Sequence, residues 1–540
     1  VIRRLFTQES KTIVSAATIV AAFSLLSRVA GFIRDRILAG TFGAGNTLDA
    51  YYTAFILPDS VYNLLVVGAL SASFIPLFLK YLGKEPNMRR AWELTNSVFN
   101  VLAVFFMGVA VILFIFAKPA AHLIAPGFNE IQIALTTKMM RVMFLASFLL
   151  ALSVVFGSVL QALKKFLVYS IAPILYNVGI IIGALVFVPF MGPMGLPWGV
   201  VLGALMHLTT QALAVIGNGY RYQWLWRPLD HETKEIGKLM LPRTLGVGVS
   251  MLNTSMMTVI ATTLGAGSVT IYQFAYNIQF FPIGVIAVSF AVAAFPTFVE
   301  YVTENDRRGF ARAFSETVRQ IFFFLIPASI LFLLLRAQIV RVVVGAGAFG
   351  WQETIQTADT LAFFVLSLFA QGLVYLFARA FFAHRDTTTP LVAGLVGAVV
   401  NVIAALLFSR EFGVVGLGIA FSLGAVVNLS LLWAMLRQKI GSLNESEIIA
   451  SLLRMSIAGI GCGLIIQLLK SWLVRFITLD TFFGVLSQGL IAGLTGLAVY
   501  CLIAYFLKSP EMLGFMSAMH RRFFRAFRPT EAIAEDHHAV

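Results

Sequence analysis

Cysteine is nearly absent from this chain of 540 residues, and the two present, Cys462 and Cys501, lie inside apolar segments, so neither a disulfide framework nor a metal site is implied. Charge is scarce as well. Only 12% of residues are charged and 59% are hydrophobic, with a mean hydropathy of +0.89, far from the roughly 25% charged residues of a soluble domain. The bilayer is therefore the expected solvent. No segment alternates apolar and polar residues over the ten or so positions of a barrel strand, which leaves lipid-facing helices. No paired acidic motif, HExxH or GxxxxGK loop is present, so a membrane enzyme acting on lipid-linked phosphates has no catalytic signature here. Acidic residues number 25 against 39 basic ones, a net charge of +14. The basic residues fall in short clusters between apolar runs instead of one patch, which points to membrane topology and not to nucleic acid.

Crossing the hydrocarbon core takes about 20 mainly apolar residues. Spans of that size fall near 12–36, 50–80, 91–117, 138–163, 166–190, 195–218, 239–264, 268–300, 313–335, 355–382, 390–408, 414–436, 449–469 and 483–507. The expectation is an all-α polytopic membrane protein with about fourteen transmembrane helices. Val1 to Lys11 is basic and polar, and the apolar run after it continues past a signal-peptide core, so that run is expected to remain as the first helix. With Arg3, Arg4 and Lys11 in the cytoplasm, every second connection is basic, from Lys80/Arg89/Arg90 through Lys164/Lys165 to Arg437/Lys439, while those near 191–195 and 264–268 hold no Lys or Arg. Both termini are then cytoplasmic. From Met512 to Arg528 the tail interleaves Phe515, Phe523, Phe524 and Phe527 with Arg521, Arg522, Arg525 and Arg528, which suits an anionic membrane surface or simply fixes topology.

The chain resembles itself at an offset of about 221 residues. Gly195-Leu196, Gly203-Ala204 and His207-Leu208 return as Gly416-Leu417, Gly424-Ala425 and Asn428-Leu429, and Gly43-Ala44-Gly45 returns as Gly265-Ala266-Gly267. Six helices per repeat return the chain to its starting side, so the copies are parallel and pseudo-symmetric about an axis along the membrane normal. The expected division is an N-lobe over 1–226, a C-lobe over 227–440, two additional helices over 441–510 and a basic tail over 511–540. Two such lobes imply a transporter.

An ionisable residue inside the bilayer costs roughly 2.5–3.5 kcal/mol or more, so it faces a partner or a wet cavity. The first span and its end concentrate them: Arg28, Arg34, Asp35 and Arg36, then Asp49. Seven residues separate Arg28 from Asp35, which places both on one helical face, with Arg34 pointing elsewhere. A planar guanidinium in a cavity favours phosphate oxygens, which makes a pyrophosphate or other anionic head group the natural ligand. Weighed against that, Arg28 pairs permanently with Asp35 or Asp49, while Arg34 and Arg36 snorkel outward. Asp59, after Pro58, is a proton or cation relay or a neutral carboxyl satisfied by a neighbour. Asn177, Asn253, Asn277, Gln279, Asn401 and Asn428 are polar residues within helices, more often interhelical glue than ligands, and Arg36, Asp59, Asn63, Asn277 and Gln279 are the candidates for a secondary cavity set.

The run Ser27-Arg28-Val29-Ala30-Gly31-Phe32-Ile33-Arg34-Asp35, followed by Phe42-Gly43-Ala44-Gly45 and Asp49-Ala50, resembles the MurJ/MviN family of lipid II flippases, within the multidrug/oligosaccharidyl-lipid/polysaccharide flippase superfamily. The resemblance continues at Ala125-Pro126-Gly127-Phe128, Gly347-Ala348-Phe349, Arg379-Ala380-Phe381 and Asp386-Thr387-Thr388-Thr389-Pro390, over nearly all of the first twelve spans. It implies export of an undecaprenyl-pyrophosphate-linked peptidoglycan precursor from inner to outer leaflet of a bacterial inner membrane by alternating access. Arg28, Arg34, Asp35 and Asp49 match the family's important charges and are the implied substrate-binding residues. The implied partners are the lipid-linked substrate, membrane lipids and cell-wall synthesis proteins. No cofactor is implied, with coupling to the membrane potential or a monovalent cation. The chain departs from the family at Tyr62, Asn63 and Val67, where basic residues and a glutamate are usual, and at Asn277 and Phe280, where an arginine and a glutamate are. Asn253 and Asn401 stand nearest to the carboxylates some members use for sodium. Another lipid-linked glycan as cargo, a drug/cation antiporter and an idle scaffold are the alternatives.

Overall fold

The computed structural model describes residues 13–63, 70–82, 88–228 and 230–526. Helices α1 (Ile13–Phe42), α2 (Asn46–Ala54), α3 (Ile56–Tyr62) and α4 (Leu70–Tyr81) occupy the first two predicted spans. They are followed by α5 (Arg89–Ile115), α6 (Ala117–Ile124) and α7 (Glu130–Ala162). Helix α8 (Phe166–Ile182) passes through a π turn into α9 (Val188–Met191) and then α10 (Gly195–Gly217). Next come α11 (His231–Thr262), α12 (Ser268–Pro282) and α13 (Val288–Thr303), then α14 (Arg307–Leu334), α15 (Arg336–Val343), α16 (Trp351–Leu366) and α17 (Leu368–Ala383). The last are α18 (Thr388–Phe412), α19 (Val414–Ile440), α20 (Glu445–Leu473), α21 (Phe482–Phe506) and α22 (Pro510–Ala526). The described residues contain no strand.

Among the described residues nine helices are long and apolar enough to cross a membrane, or ten when the bent pair α16 and α17 counts as one span. Within the described residues the predicted spans lie on helix apart from short breaks. One of the nine, Phe166–Gly217, has 52 residues and would be about 78 Å long if straight, far beyond a hydrocarbon core of about 30 Å. It is instead a hairpin. Gly192 turns the chain at a positive φ of 60°, and Gly179 and Gly183 approach Gly203 and Gly199 so closely that a Cβ at any of them would meet the opposite backbone. The same packing recurs one repeat later. Gly203 lies on the Tyr176 carbonyl and Gly424 on that of Gly397, while Gly195 meets Phe187 and Val188 as Gly416 meets Phe408 and Ser409.

The predicted span 50–80 is not one helix. Pro58 has no N–H for the Ala54 carbonyl four residues back, and α2 ends at Ala54. Val67 and the rest of 64–69 lie outside the described residues.

The described residues form two compact units. The first comprises the chain up to Phe281 with Ile339–Phe364 and Leu391–Asn428. An aromatic cluster joins α4, α5 and α7, with Phe78, Trp92 and Tyr220 meeting edge to face. Over α5 lies an irregular strap held by two asparagines. Asn96 donates to the Arg221 carbonyl and accepts from Tyr220 Oη and Gln223 N, and Asn100 donates to the carbonyls of Gln223 and Leu225. Buried amides thus satisfy the backbone of a segment with no ladder of its own.

The second unit comprises Pro282–Gln338, Val365–Pro390 and the chain from Leu429 onward. Phe298, Phe310, Phe314 and Phe377 form its aromatic spine. Arg319 on α14 is paired with Glu447 on α20 at 3.3 Å and Glu511 on α22 at 3.4 Å. Ser451 and Ser509 donate to the same Glu511 carboxylate, so the first turn of α22 is tied down. Further along the tail, the side chains of 521–526 and all of 527–540, including Phe527 and Arg528, lie outside the described residues, as do Arg3, Arg4 and Lys11.

Asp386, in the connection before α18, accepts from Thr389 N at 3.0 Å and Thr389 Oγ1 at 2.8 Å, and from Lys439 Nζ at 2.8 Å. It caps the helix. Burial pushes its pKa up, but the hydrogen bonds of Lys439 and Thr389 outweigh it and bring the carboxyl from the ordinary 3.8 down to about 2. Because the folded value is the lower one, its contribution to stability is complete above pH 3.8 and lost as pH falls through 2. Asp386→Asn is expected to cost about 1 kcal/mol at pH 7. That difference should narrow between pH 4 and 2 in thermal melts of the detergent-solubilised protein.

Candidate functional site

All the predicted site residues belong to the first unit. On α1, Asp35 is 3% exposed and its Oδ1 accepts from Arg34 Nε at 3.0 Å and Nη2 at 2.8 Å. The guanidinium therefore folds back onto its neighbour, where the spacing predicted that it points elsewhere. A buried carboxylate without a partner is costly, and the long arginine stem can reach it. Arg34 Nη1 also donates to Asn177 Oδ1 on α8 at 3.0 Å, and Asn277 Nδ2 on α12 approaches Asp35 Oδ2 at 3.4 Å. Charge in this group cancels within the Arg34–Asp35 pair. Of its five N–H groups, Arg34 has two not engaged by Asp35 or Asn177.

Arg28 stands differently. It is half-buried, its guanidinium carbon is 5.7 Å from the centroid of the Phe280 ring, and among the described residues no carboxylate is within ion-pair distance. The permanent pair with Asp35 or Asp49 weighed from the sequence does not form. A cation held over a ring face is steadied by about 0.5–1 kcal/mol while its N–H groups remain available for an anion. Two of the positions that depart from the family, Asn277 and Phe280, thus contact Asp35 and Arg28.

Asp49 is fully buried. Its Oδ1 accepts from Thr270 N at 2.9 Å and Thr270 Oγ1 at 2.7 Å, and its Oδ2 from Gly267 N at 2.6 Å. Those are donors at the start of α12, where a helix leaves its first N–H groups without intrahelical partners. Asp49 thereby positions the helix that carries Asn277 and Phe280, from the place that corresponds to Thr270 in the other repeat. Asp49→Asn turns one acceptor into a donor facing an N–H and is expected to cost about 1–3 kcal/mol. A fall in melting temperature of purified protein, with no change in charge at Arg28, is the check.

Arg36 donates to the carbonyls of Arg341 at 3.1 Å and Val342 at 2.6 Å, the end of α15. It closes a helix terminus where snorkelling was the other expectation. Asp59 and Asn63 line a cavity of about 230 Å³ that the hydroxyls of α11 also face. Gln279 is fully buried and its amide nitrogen and oxygen have no hydrogen-bond partner among the described residues. Asn401 Nδ2 donates to Asn253 Oδ1 at 2.8 Å, so the pair nearest the missing sodium carboxylates is bonded to itself. The motif glycines also find their role: Gly347, at φ +49°, packs on the Gly40 carbonyl, and Gly43, at φ +64°, packs on Ala348. Ala348 N closes the contact by donating to Gly40 O at 2.8 Å. Thr270, Asn177 as an arginine partner and the α11 hydroxyls escaped sequence reasoning, because each acquires its role from a residue far away in the chain.

Residues 38–486 match the family described as "Lipid II flippase MurJ". A protein of Bdellovibrio bacteriovorus named "Probable lipid II flippase MurJ" is 30% identical over 478 residues, which cover 85% of this chain and 89% of the relative. One of Rhizobium tropici with the same name is 27% identical over 529 residues, 95% of this chain and 97% of the relative. The solved structure "Lipid II flippase MurJ, inward closed conformation" superposes with a TM-score of 0.76 at 22% identity, covering 91% of this chain and 99% of that one. An inward-facing multidrug resistance MATE family transporter of the MOP superfamily superposes with a TM-score of 0.65 at 16% identity, covering 78% and 96%. At those identities the two structures establish the fold. The family match over most of the length establishes more: this multi-pass membrane protein belongs to the MurJ family of lipid II flippases, transporters and not enzymes.

Proposed function

We propose that this chain moves lipid II, an undecaprenyl-pyrophosphate-linked peptidoglycan precursor, from the inner to the outer leaflet of a bacterial cytoplasmic membrane by alternating access. In this reading the repeats over 1–226 and 227–440 are the moving lobes, both termini are cytoplasmic, and the polyprenyl tail stays in lipid along α20 and α21. The observation that supports it most is Arg28, a half-buried guanidinium over Phe280 with no carboxylate in reach among the described residues. A pyrophosphate supplies the missing anion. Arg28 takes it by charge-assisted N–H···O bonds, and Arg34 adds the N–H groups that Asp35 and Asn177 leave over. Asp49 acts as a positioning residue by holding α12. Moving one charge through 100 mV is worth about 2.3 kcal/mol, so an inside-negative potential favours outward movement of the anionic head group.

Depletion in the native cell, followed by identification of the lipid-linked precursor that builds up, tests the cargo. Accumulation of lipid II facing the cytoplasm is expected. The departures at Tyr62, Asn63, Asn277 and Phe280 favour a second reading, in which another lipid-linked anionic glycan is carried, and accumulation of that glycan with lipid II unchanged would establish it instead.

A further inference from the structure

We propose that the strap between α10 and α11, residues 221–227, is an interfacial anchor that seats the first unit in the polar head-group layer of the bilayer, with anionic phospholipid as its partner. This anchoring is independent of the cargo. Tyr222, Trp224 and Trp226 alternate along the strap and are 56%, 63% and 48% exposed. Three large rings so close together make an apolar patch that a surface facing only water rarely carries. Between them the backbone is bonded inward: Gln223 N donates to Asn96 Oδ1 at 3.0 Å, and Asn100 Nδ2 donates to the carbonyls of Gln223 and Leu225 at 3.0 and 3.2 Å. Tyr222 Oη donates to Asn100 Oδ1 at 3.0 Å, and its ring meets Phe99 edge to face. The platform is thus fixed to α5 before any partner arrives. Neither indole, by contrast, has a hydrogen bond or ring contact among the described residues. An indole combines a broad apolar face with one N–H donor, and it satisfies both at once where carbonyl and phosphate oxygens border hydrocarbon.

Position along α5 sets the depth. Arg89 and Arg90 at its start are exposed, Asn96 and Asn100 hold the strap, and Val104 and Phe105, about 6 Å beyond Asn100, open an exposed apolar surface that continues through Met107 and Val111. The strap therefore lies where a charged end gives way to a lipid-facing one. A soluble partner docking on these rings would have to place part of its own surface in lipid.

Charge selects the kind of lipid. Arg221 is exposed with no ion pair among the described residues, and Arg227 only approaches Glu93 at 4.0 Å and Asp230 at 3.9 Å. Together Arg89, Arg90, Arg221 and Arg227 stand against Glu93 and Asp230, a positive surplus that complements anionic head groups. Guanidiniums at both ends also keep the rings from sinking into hydrocarbon.

Quenching of tryptophan fluorescence by brominated phospholipids, in proteoliposomes of the full-length protein, tests the anchor. The difference between wild type and the double variant Trp224→Phe with Trp226→Phe isolates these two rings from the rest of the seven tryptophans. That difference signal is expected to be quenched about threefold more by bromines near the glycerol end of the acyl chain than by bromines near its tip, and hardly at all by aqueous iodide. Brominated phosphatidylglycerol should quench it about fivefold more than brominated phosphatidylethanolamine at equal mole fraction, and Arg221→Gln should abolish most of that preference. Melting curves verify folding, and the two single Phe variants give the same readout should the double variant fail to fold. A difference signal quenched by iodide and untouched by either brominated lipid would place the rings in water and overturn the anchor in favour of a soluble partner. Quenching strongest from the chain tip would put them in hydrocarbon and overturn the head-group placement. Equal quenching by the two lipids would overturn the anionic partner.

Discussion

Arg28→Ala is expected to lower affinity for the lipid-linked pyrophosphate by ten- to more than a hundredfold and to bring flipping in proteoliposomes close to the protein-free rate. Hydrogen bonds to a charged group are worth about 1.5–3 kcal/mol, and every 1.4 kcal/mol is tenfold in affinity. Stability should hardly change. Arg28 has no carboxylate to leave stranded, and its contact with the Phe280 ring contributes about 0.5–1 kcal/mol. Arg28→Lys keeps the charge but not the planar fork, and intermediate binding is expected of it. Wild-type flipping by Arg28→Ala, measured with equal amounts of folded protein, would remove Arg28 from the site.

Asp35→Ala should act in the opposite way, on stability first. Its carboxylate is 4% exposed and the Arg34 guanidinium 22%, so truncation strands a buried charge at a cost of about 3–5 kcal/mol. Replacing both members together, Arg34→Leu with Asp35→Leu, removes the stranded charge and is expected to recover most of the melting temperature. Flipping should stay low in that double variant, because the N–H groups that Arg34 offers beyond Asp35 and Asn177 are gone. A double variant that regains transport as well as stability would make the pair purely structural.

These two predictions separate residues that the sequence set side by side. Four charges within nine positions were legible as a site, since charge inside an apolar run is expensive wherever it occurs. Their division of labour was not. Arg34 turns back to Asp35, Arg36 closes α15, and Asp49 holds the start of α12, each through a partner between one and 306 residues away. Nothing in local spacing encodes such pairs. The helices themselves were readable from hydropathy, and the repeat from ordered glycines, whose close backbone contacts at Gly203 and Gly424 recur with both partners shifted together. The break at Ala54 was foreshadowed by Pro58. The strap over α5 was not, because Asn96 and Asn100 look like any other polar residues until the carbonyls they satisfy are in place.

The family motifs divide in a similar way. Gly43 and Gly347 are conformational, holding positive φ where two loops meet. Asp386 is a helix cap bonded to Lys439. Arg28 and Arg379 each lie over a ring, Phe280 and Phe295, with no carboxylate in ion-pair distance among the described residues; Arg28 is the one in the same unit as Arg34 and Asp35, which is why the transport account turns on it.

The most direct measurement is transfer of lipid II across vesicles containing only the purified chain, read as the fraction of head groups reachable from the opposite face. The account predicts transfer that rises with protein density, accelerates under a potential drawing anions to the receiving side, and fails in Arg28→Ala. Transfer no faster than in protein-free vesicles, from protein that is folded and correctly inserted, would contradict it.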